Sequence, residues 1–437
     1  MIFMEDNFLM SSKPEELDFA DSKNSKTFLA STKLENMDFA DLHIHSRFSR
    51  ACSKDLNLEN LEKWAKIKGL TLLGTGDFTH PVWFKEIKEN LEEKDGVFFT
   101  KTGFRFILTG EISLVFTKER GRRVHLVLFA PSFHVVNMIN EYLDTRGRRD
   151  YDGRPIFSIS CEDFVRDLKK ISDRIEIIPA HAWTPWFGIF GSESGFDSLK
   201  EAFGSQFEKI NAIETGMSSD PEMNWKIKEL NDKAIISFSD SHSFWPWRLG
   251  REATIFKKIK SYNDLIKQIR EKSFLGTIET DPCYGKYHYD GHMNCNFSSS
   301  PLETEKIKGK CPICGKDLII GVENRVEKLK SQKIEGNLNR KPYFKLLPLH
   351  ELIALAKTTS VSSKKAWAVY YSLIEKFGNE LQILLKTSKK DLISAIPNET
   401  LLVNLILDNR EGKIKVKPGY DGKYGEPMLS QKQEKLF

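Results

Sequence analysis

Long apolar runs are missing from this chain of 437 residues: no stretch approaches the roughly 20 residues that a membrane helix needs, and the first residues lack the basic start and apolar centre of a signal peptide. The expectation is a cytoplasmic protein with no membrane partner. Cysteine is scarce as well. Six in so long a chain do not make a disulfide framework, and three of them (Cys295, Cys311, Cys314) crowd into one segment, where metal binding is the better reading. A strong charge of one sign is also absent, the net being +5. The average hides an asymmetry, because residues 1–42 carry nine acids against four lysines, which leaves an excess of +10 on residues 43–437. That excess is compatible with a polyanion partner without requiring one. The stretch 1–38 is polar and poorly periodic and reads as a disordered extension.

What is present is a chain that is 40% hydrophobic, large enough for two or three domains. From 39 to 282, short apolar runs alternate with helical patterns. "GLTLLGTGDF", "FRFILTGEISLVF", "RRVHLVLFA", "RIEIIPAHAW", "KINAIETGMSS" and "KAIISFSDSHS" read as strands, and "LENLEKWAKIKG" and "YNDLIKQIREKS" as amphipathic helices. This predicts an α/β fold, a β/α barrel or a layered sheet, with chemistry at the strand C-termini.

The chemistry-bearing residues fall at those ends. In "DLHIHSRFS", His43 and His45 are two apart, so an extended backbone points both to one side. Such a pair can face solvent or converge on a metal. Asp77 and His80 lie in "GTGDFTH", Glu111 in "LTGEIS", His125 in "RRVHLVLF", His181 in "IIPAH", and Asp240 and His242 in "FSDSH". Six histidines and three carboxylates beside apolar strands point to a divalent-metal cluster.

This ordered series resembles the polymerase and histidinol phosphatase (PHP) family. The resemblance implies a distorted seven-stranded β/α barrel holding two to three divalent metals (Mg, Mn or Zn) and hydrolysing phosphate esters with metal-activated water. It further implies that His43, His45, Glu111 and Asp240 hold one metal, that Glu111 bridges to a second with His125 and His181, and that Asp77, His80 and His242 take a third. The sequence departs from the family in one place: two residues separate Asp77 from His80, where the family has adjacent Asp-His. Glu111, Asp240, His43, His45 and His181 are the expected catalytic set.

Residues 283–328 contain His292 and Cys295 at H-x2-C spacing, then Cys311 and Cys314 at C-x2-C. Two such pairs fit one structural zinc, with His288 the alternative fourth ligand. Its plain role is to fold a small domain; DNA contact is an additional one. Residues 329–428 read as short amphipathic helices whose lysines are either simply solvated or follow a phosphate backbone. The tail 429–437 carries Gln433, Leu436 and Phe437, a truncated likeness of a sliding-clamp peptide.

The order of these parts, with "TGDFTHP", "AIETGMSSDP", "FSDSHS", "CPICGK" and "PGYDGKYGE", resembles the endonuclease Q family over about residues 40–428. The resemblance implies a DNA repair endonuclease acting on double- or single-stranded DNA. Such an enzyme cuts 5′ to a deaminated base (deoxyuridine, deoxyinosine, deoxyxanthosine) or an abasic site and leaves 3′-hydroxyl and 5′-phosphate ends. Trp183, Trp186, Phe187 and Phe190 then shape a lesion pocket or form an aromatic lid. Arg120, Arg122, Arg123, Arg146, Arg148, Arg149 and Arg154 are candidate phosphate contacts or merely solvated. Two rivals are a small-molecule phosphoesterase of the histidinol-phosphatase type, which has no use for residues 283–428, and a zinc-bearing DNA-binding protein with an inactive barrel. A proofreading-type exonuclease, a third, needs free ends.

Overall fold

The computed structural model describes residues 34–331 and 340–429. The architecture is mixed α/β. The twelve strands of its first part are β1 (Met37–Asp41), β2 (Leu72–Gly74), β3 (Glu92–Lys94), β4 (Val97–Phe99), β5 (Arg105–Lys118), β6 (Arg120–Ala130), β7 (Ile156–Phe157), β8 (Glu176–Pro179), β9 (Ala212–Glu214), β10 (Ala234–Ile236), β11 (Ala253–Lys257) and β12 (Gly276–Glu279). β13 (Asp290–His292) and β14 (Phe297–Ser299) form a hairpin, and β15 is Tyr343–Lys345.

Eleven of the described strands join one hydrogen-bonded sheet. Its centre is parallel, β1 to β2 and β2 to β5. Antiparallel pairs flank it: β1 with β11, β11 with β12, and the long β5–β6 hairpin, which continues to β8. The β3–β4 hairpin and β15 extend its edges, and β9 and β10 form a separate parallel pair. β15 pairs with β12, so the segment expected to be helical contributes a strand to the main sheet. β1 begins at Met37, inside the stretch read as an extension; residues 1–33, Gln433, Leu436 and Phe437 lie outside the described residues.

Strands and helices follow local rules. Cys161–Ile171 buries Cys161, Phe164, Val165 and Leu168, one helical stripe, and starts where the Ser160 side chain accepts the N–H of Asp163. Leu58–Lys68 is capped by Asn57 and ends at Gly69, whose φ of 100° lies in the left-handed region that glycine adopts without strain. The last helices, Leu349–Ala356, Lys364–Phe377, Glu380–Leu385, Lys389–Ala395 and Thr400–Arg410, pack on the same core. A buried ion pair ties them to the sheet domain: Lys68 Nζ reaches Glu380 Oε1 at 2.6 Å, and Tyr370 donates to the other oxygen at 2.9 Å. No helix among the described residues is long and apolar enough to cross a membrane.

Candidate metal centres

The loops that follow β1 and β10 are stitched together at Ile44 and Ser241, where His45 N–H donates to Ser241 C=O at 3.0 Å. With Ile44 committed to this bridge, His43 and His45 turn the other way and converge. Behind each ring stands a carboxylate: Glu214 holds His43 Nδ1 at 2.8 and 3.0 Å, and Asp77 holds His45 Nδ1 at 2.9 Å. Both Nε2 atoms therefore face inward. His45 Nε2 lies 3.0 Å from Asp240 Oδ1 and 3.2 Å from Glu111 Oε2; His43 Nε2 lies 3.4 Å from Glu111 Oε2 and 3.6 Å from Asp240 Oδ1.

The other oxygen of Glu111 belongs to a second group. His125 Nδ1 is 2.8 Å and His181 Nε2 3.3 Å from Glu111 Oε1, and the two ring nitrogens are 3.1 Å apart. Thr184 Oγ1 meets His181 Nδ1 at 3.0 Å, and Glu214 Oε2 accepts the backbone N–H of His181 at 2.6 Å. Within each group, His43, His45, Glu111 and Asp240 on one side and Glu111, His125 and His181 on the other, the donor atoms lie within 4.8 Å of one another. Asp77, His181 and Asp240 have φ of 45°, 29° and 48°, left-handed values that cost non-glycine residues energy and that concentrate at functional sites. Gly216 permits the crowding: a Cβ there would come within 2.4 Å of His181 Cβ.

These residues fit divalent metals. His43 Nε2 is buried without a hydrogen-bond partner among the described residues, an orphan that a cation would satisfy. Burial pushes His43 toward neutrality, yet Glu214, Glu111 and Asp240 hold it well above the usual histidine range; His45 is likewise raised against burial, by Asp77 and Asp240. His125 is pushed down to about 4, chiefly by burial. Glu111 and Asp240 are held well below the carboxylate range against burial, Glu111 by His125, Arg154 and His43, Asp240 by His242, His43 and His45. The carboxylates thus make the pocket's field anionic, which suits a cation.

Not every residue expected there arrives. Asp77 spends both oxygens on its own neighbourhood, accepting from Ser46 N–H at 2.6 Å, Ser46 Oγ at 2.7 Å and Ser49 Oγ at 2.9 Å besides His45, so it orients a ring. His80 points away: its ring stacks on Phe48 at 4.2 Å and Nε2 faces Asp150 C=O at 3.2 Å. His242 stays at the rim, its ring 4.5 Å from that of His45 and Nδ1 3.0 Å from Asp240 C=O. Asp77, His80 and His242 do not form a third donor group among the described residues. Glu214, which the strand-end reading passed over, closes β9 in "AIETG" just as Glu111 lies in "LTGEIS".

The aromatic and arginine candidates divide in the same way. Trp183 is fully buried with Nε1 on Asn224 Oδ1 at 2.7 Å, and Phe190 packs on it, so both belong to the core. Phe187 covers His125 at 4.3 Å, and Trp186 meets Tyr287 edge-on at 5.5 Å. Arg122 is buried, bonded to Glu201 at 2.8 Å and stacked on Phe196 at 4.1 Å, which removes it from any surface; Arg123 is exposed above Phe187. Arg148 is paired with Asp150, and Arg149 with Asp144.

The second centre is local. β13 and β14 carry His292 and Cys295 to the turn Cys311–Gly315, and the four ligand atoms of His292, Cys295, Cys311 and Cys314 lie within 4.8 Å of one another. His288 is buried outside this group, 3.9 Å from Glu323. Burial pushes the Cys311 thiol up, but the N–H groups of Cys314 and Ile313 outweigh it and hold the thiol at about 6, the state a metal needs.

A mixed α/β sheet with a buried two-lobed histidine–carboxylate group and a separate group of one histidine and three cysteines offers donor sets consistent with divalent metals. The chain belongs to the endonuclease Q family. The lesion-specific endonuclease PfuEndoQ of Pyrococcus furiosus is 32% identical and superimposes with a TM-score of 0.81 over 91% of this chain and 97% of its own. A second structure, endonuclease Q in complex with a 27-mer duplex carrying an abasic lesion at the active site, matches equally, with 98% of that chain covered. The MJ0043 C-terminal domain model matches residues 348–413. The uncharacterised protein MJ0043 of Methanocaldococcus jannaschii is 32% identical over 66% of this chain, which spans only 36% of that relative's length.

Proposed function

We propose that this protein is a DNA repair endonuclease that hydrolyses the phosphodiester 5′ to a deaminated base (deoxyuridine, deoxyinosine or deoxyxanthosine) or an abasic site, leaving 3′-hydroxyl and 5′-phosphate ends. The observation that carries this reading is Glu111, whose two oxygens each serve a separate histidine group, in a chain that matches an endonuclease bound to abasic DNA over 91% of its length. In this reading the sheet domain, residues 39–282, is the distorted PHP barrel, followed by a zinc domain, 283–328, and a helical DNA-binding domain, 329–428. His43, His45, Glu111 and Asp240 would hold one divalent ion, and Glu111, His125 and His181 a second. Such ions supply Lewis acidity toward phosphoryl oxygens and make water more acidic. His292, Cys295, Cys311 and Cys314 would hold a structural zinc.

The chain's own groups prepare the centre. Asp77 and Glu214 fix the tautomers of His45 and His43, so that both lone pairs point inward. A flipped nucleotide reaches a centre walled by Phe187 and Trp186, and extrusion is least costly where pairing or stacking is already lost. The test is an end-labelled duplex with one deoxyuridine, deoxyinosine or abasic site, incubated with Mg2+ or Mn2+ beside undamaged DNA. One cut immediately 5′ of the lesion, absent from undamaged duplex, is expected. Intact DNA with turnover of a phosphomonoester would overturn the reading.

A further inference from the structure

The loop between Asp144 and Ile156 carries four arginines, Arg146, Arg148, Arg149 and Arg154, and they do not behave alike. The first three are engaged at the periphery with Asp167, Asp150 and Asp144. Arg154 alone turns inward, placing Nη1 3.1 Å from Glu111 Oε2, the oxygen that faces His43 and His45. Its side chain keeps 25% of its surface exposed, so the guanidinium spans from the buried centre to the mouth.

The backbone that carries it is held from several sides. Gly153 N–H donates to Phe48 C=O at 3.1 Å, Thr79 Oγ1 donates to Gly153 C=O at 3.1 Å, and Ser113 N–H donates to Pro155 C=O at 3.0 Å. A Cβ at Gly153 would sit 2.2 Å from Asp77 Oδ2 and 2.3 Å from Ser49 Oγ, so the loop lies directly on the carboxylate that orients His45. Proline at 155 and the Asp152 side chain accepting Arg154 N–H at 3.0 Å complete the fixation. A surface arginine has no need of such support.

Arg154 is thus a cation within hydrogen-bond reach of the carboxylate oxygen that His43 and His45 also face. A guanidinium has five N–H donors in a planar fork, and the one hydrogen bond this side chain makes among the described residues is that to Glu111. With a quarter of the side chain exposed, the remaining donors are open to a ligand, and a guanidinium fork is suited to two oxygens of a phosphate.

We propose that Arg154 is a catalytic residue of this centre: it binds a non-bridging oxygen of the scissile phosphate and offsets the charge that gathers there during in-line displacement. The proposal rests on the reading of the chain as a phosphodiesterase. No bond to Arg154 forms or breaks; it donates hydrogen bonds only. A competing role would be to support Glu111, and the two make opposite forecasts for metal binding. Removing a cation beside an anionic centre leaves Mn2+ affinity equal or higher, whereas removing a support weakens it.

The experiment compares wild type, Arg154→Ala and Arg154→Lys. Mn2+ affinity is measured by calorimetry, melting temperature by circular dichroism, and single-turnover rates on the lesion duplex and on bis(p-nitrophenyl) phosphate. Arg154→Ala is expected to lose about a hundred- to a thousandfold in rate with unweakened Mn2+ binding and an unchanged melting temperature, and Arg154→Lys to recover only part. Retention of the wild-type rate, or loss of rate together with loss of Mn2+ affinity, would overturn the proposal. The two substrates separate the questions: a wild-type chain that hydrolyses the diester but leaves lesion DNA intact refutes the repair reading, while the Arg154 comparison is still decided on the diester.

Discussion

The two candidate metal centres of this chain are built in opposite ways. One draws its donors from residue 43 to residue 240, from two long strands and the loops that follow three others, and buries nearly all of them; the other draws four donors from residues 292 to 314 and leaves Cys314 exposed. The difference follows from what surrounds them. The sheet domain has an extensive apolar core and folds around its carboxylates and histidines. The segment near the cysteines has little core of its own: Leu302, Ile313 and Met293, at 73%, 66% and 52% exposure, are the three most exposed large apolar side chains among the described residues. Burial contributes little to holding such a segment together, which is the task a closed ligand set performs in the proposed reading. The proposed division follows: chemistry at the dispersed group, folding energy at the compact one.

The comparison breaks most visibly if the dispersed centre is removed. His43→Ala and Asp240→Ala should each lower incision of a lesion duplex on the order of a thousandfold, as loss of an electrostatic partner at a reacting centre does, while circular dichroism still shows a folded chain. A variant that cuts at the wild-type rate would place the chemistry elsewhere. The compact centre should respond the other way round. Cys311→Ser and Cys314→Ser should each lower the zinc content measured by mass spectrometry and open residues 290–320 to protease, with the sheet domain's melting transition retained. Full zinc occupancy in either variant would sink its role as ligand.

The groups behind the rings should give a smaller, graded effect. Asp77→Asn and Glu214→Gln leave the inward donors in place but loosen the tautomers of His45 and His43, so activity or metal affinity should fall about 10–100-fold. Equality with wild type would mean the carboxylates serve only packing.

How far the sequence reaches is clear from the same residues. His43, His45, Glu111, His125, His181 and Asp240 were legible because an ionisable side chain within or just past an apolar strand has few other reasons to be there. The group of His292 with its three cysteines was legible because its spacing is local. Direction was not: Asp77 follows β2 and Glu111 lies within β5, yet the first faces Nδ1 of His45 and the second its Nε2, which depends on where neighbouring segments cross. Arg122 and Trp183 are residue types that suit DNA, but alternation along β6 and the packing around Asn224 turn them inward. The mixed sheet, with β1 antiparallel to β11, was equally out of reach, since the order of strands in a chain does not state which edges meet.

Beneath the dispersed centre lies a carboxyl pair that sharpens the contrast between acids serving chemistry and acids serving the fold. Glu252 and Glu279 are fully buried, and the single hydroxyl of Ser237 lies 3.2 Å from one and 3.0 Å from the other, so it can donate to only one of them. Burial pushes Glu252 up to about 8 and Glu279 well above the usual range, the latter further raised by Glu252. A raised carboxyl pKa in the folded state means that the unfolded chain releases its proton first as pH increases. Stability is therefore fully present near the ordinary glutamate pKa and is lost as pH rises toward the folded value, about 8 for Glu252. Glu279 accepts only from hydroxyls, Thr215, Ser237 and Thr277, which can rotate to suit an amide. In metal-free protein, Glu279→Gln should thus flatten the fall in melting temperature between about pH 5 and pH 8, by about 2–4 °C for each kcal/mol recovered. Parallel melting curves for variant and wild type across that window would show that the pair shares no proton and that its burial is satisfied in some other way.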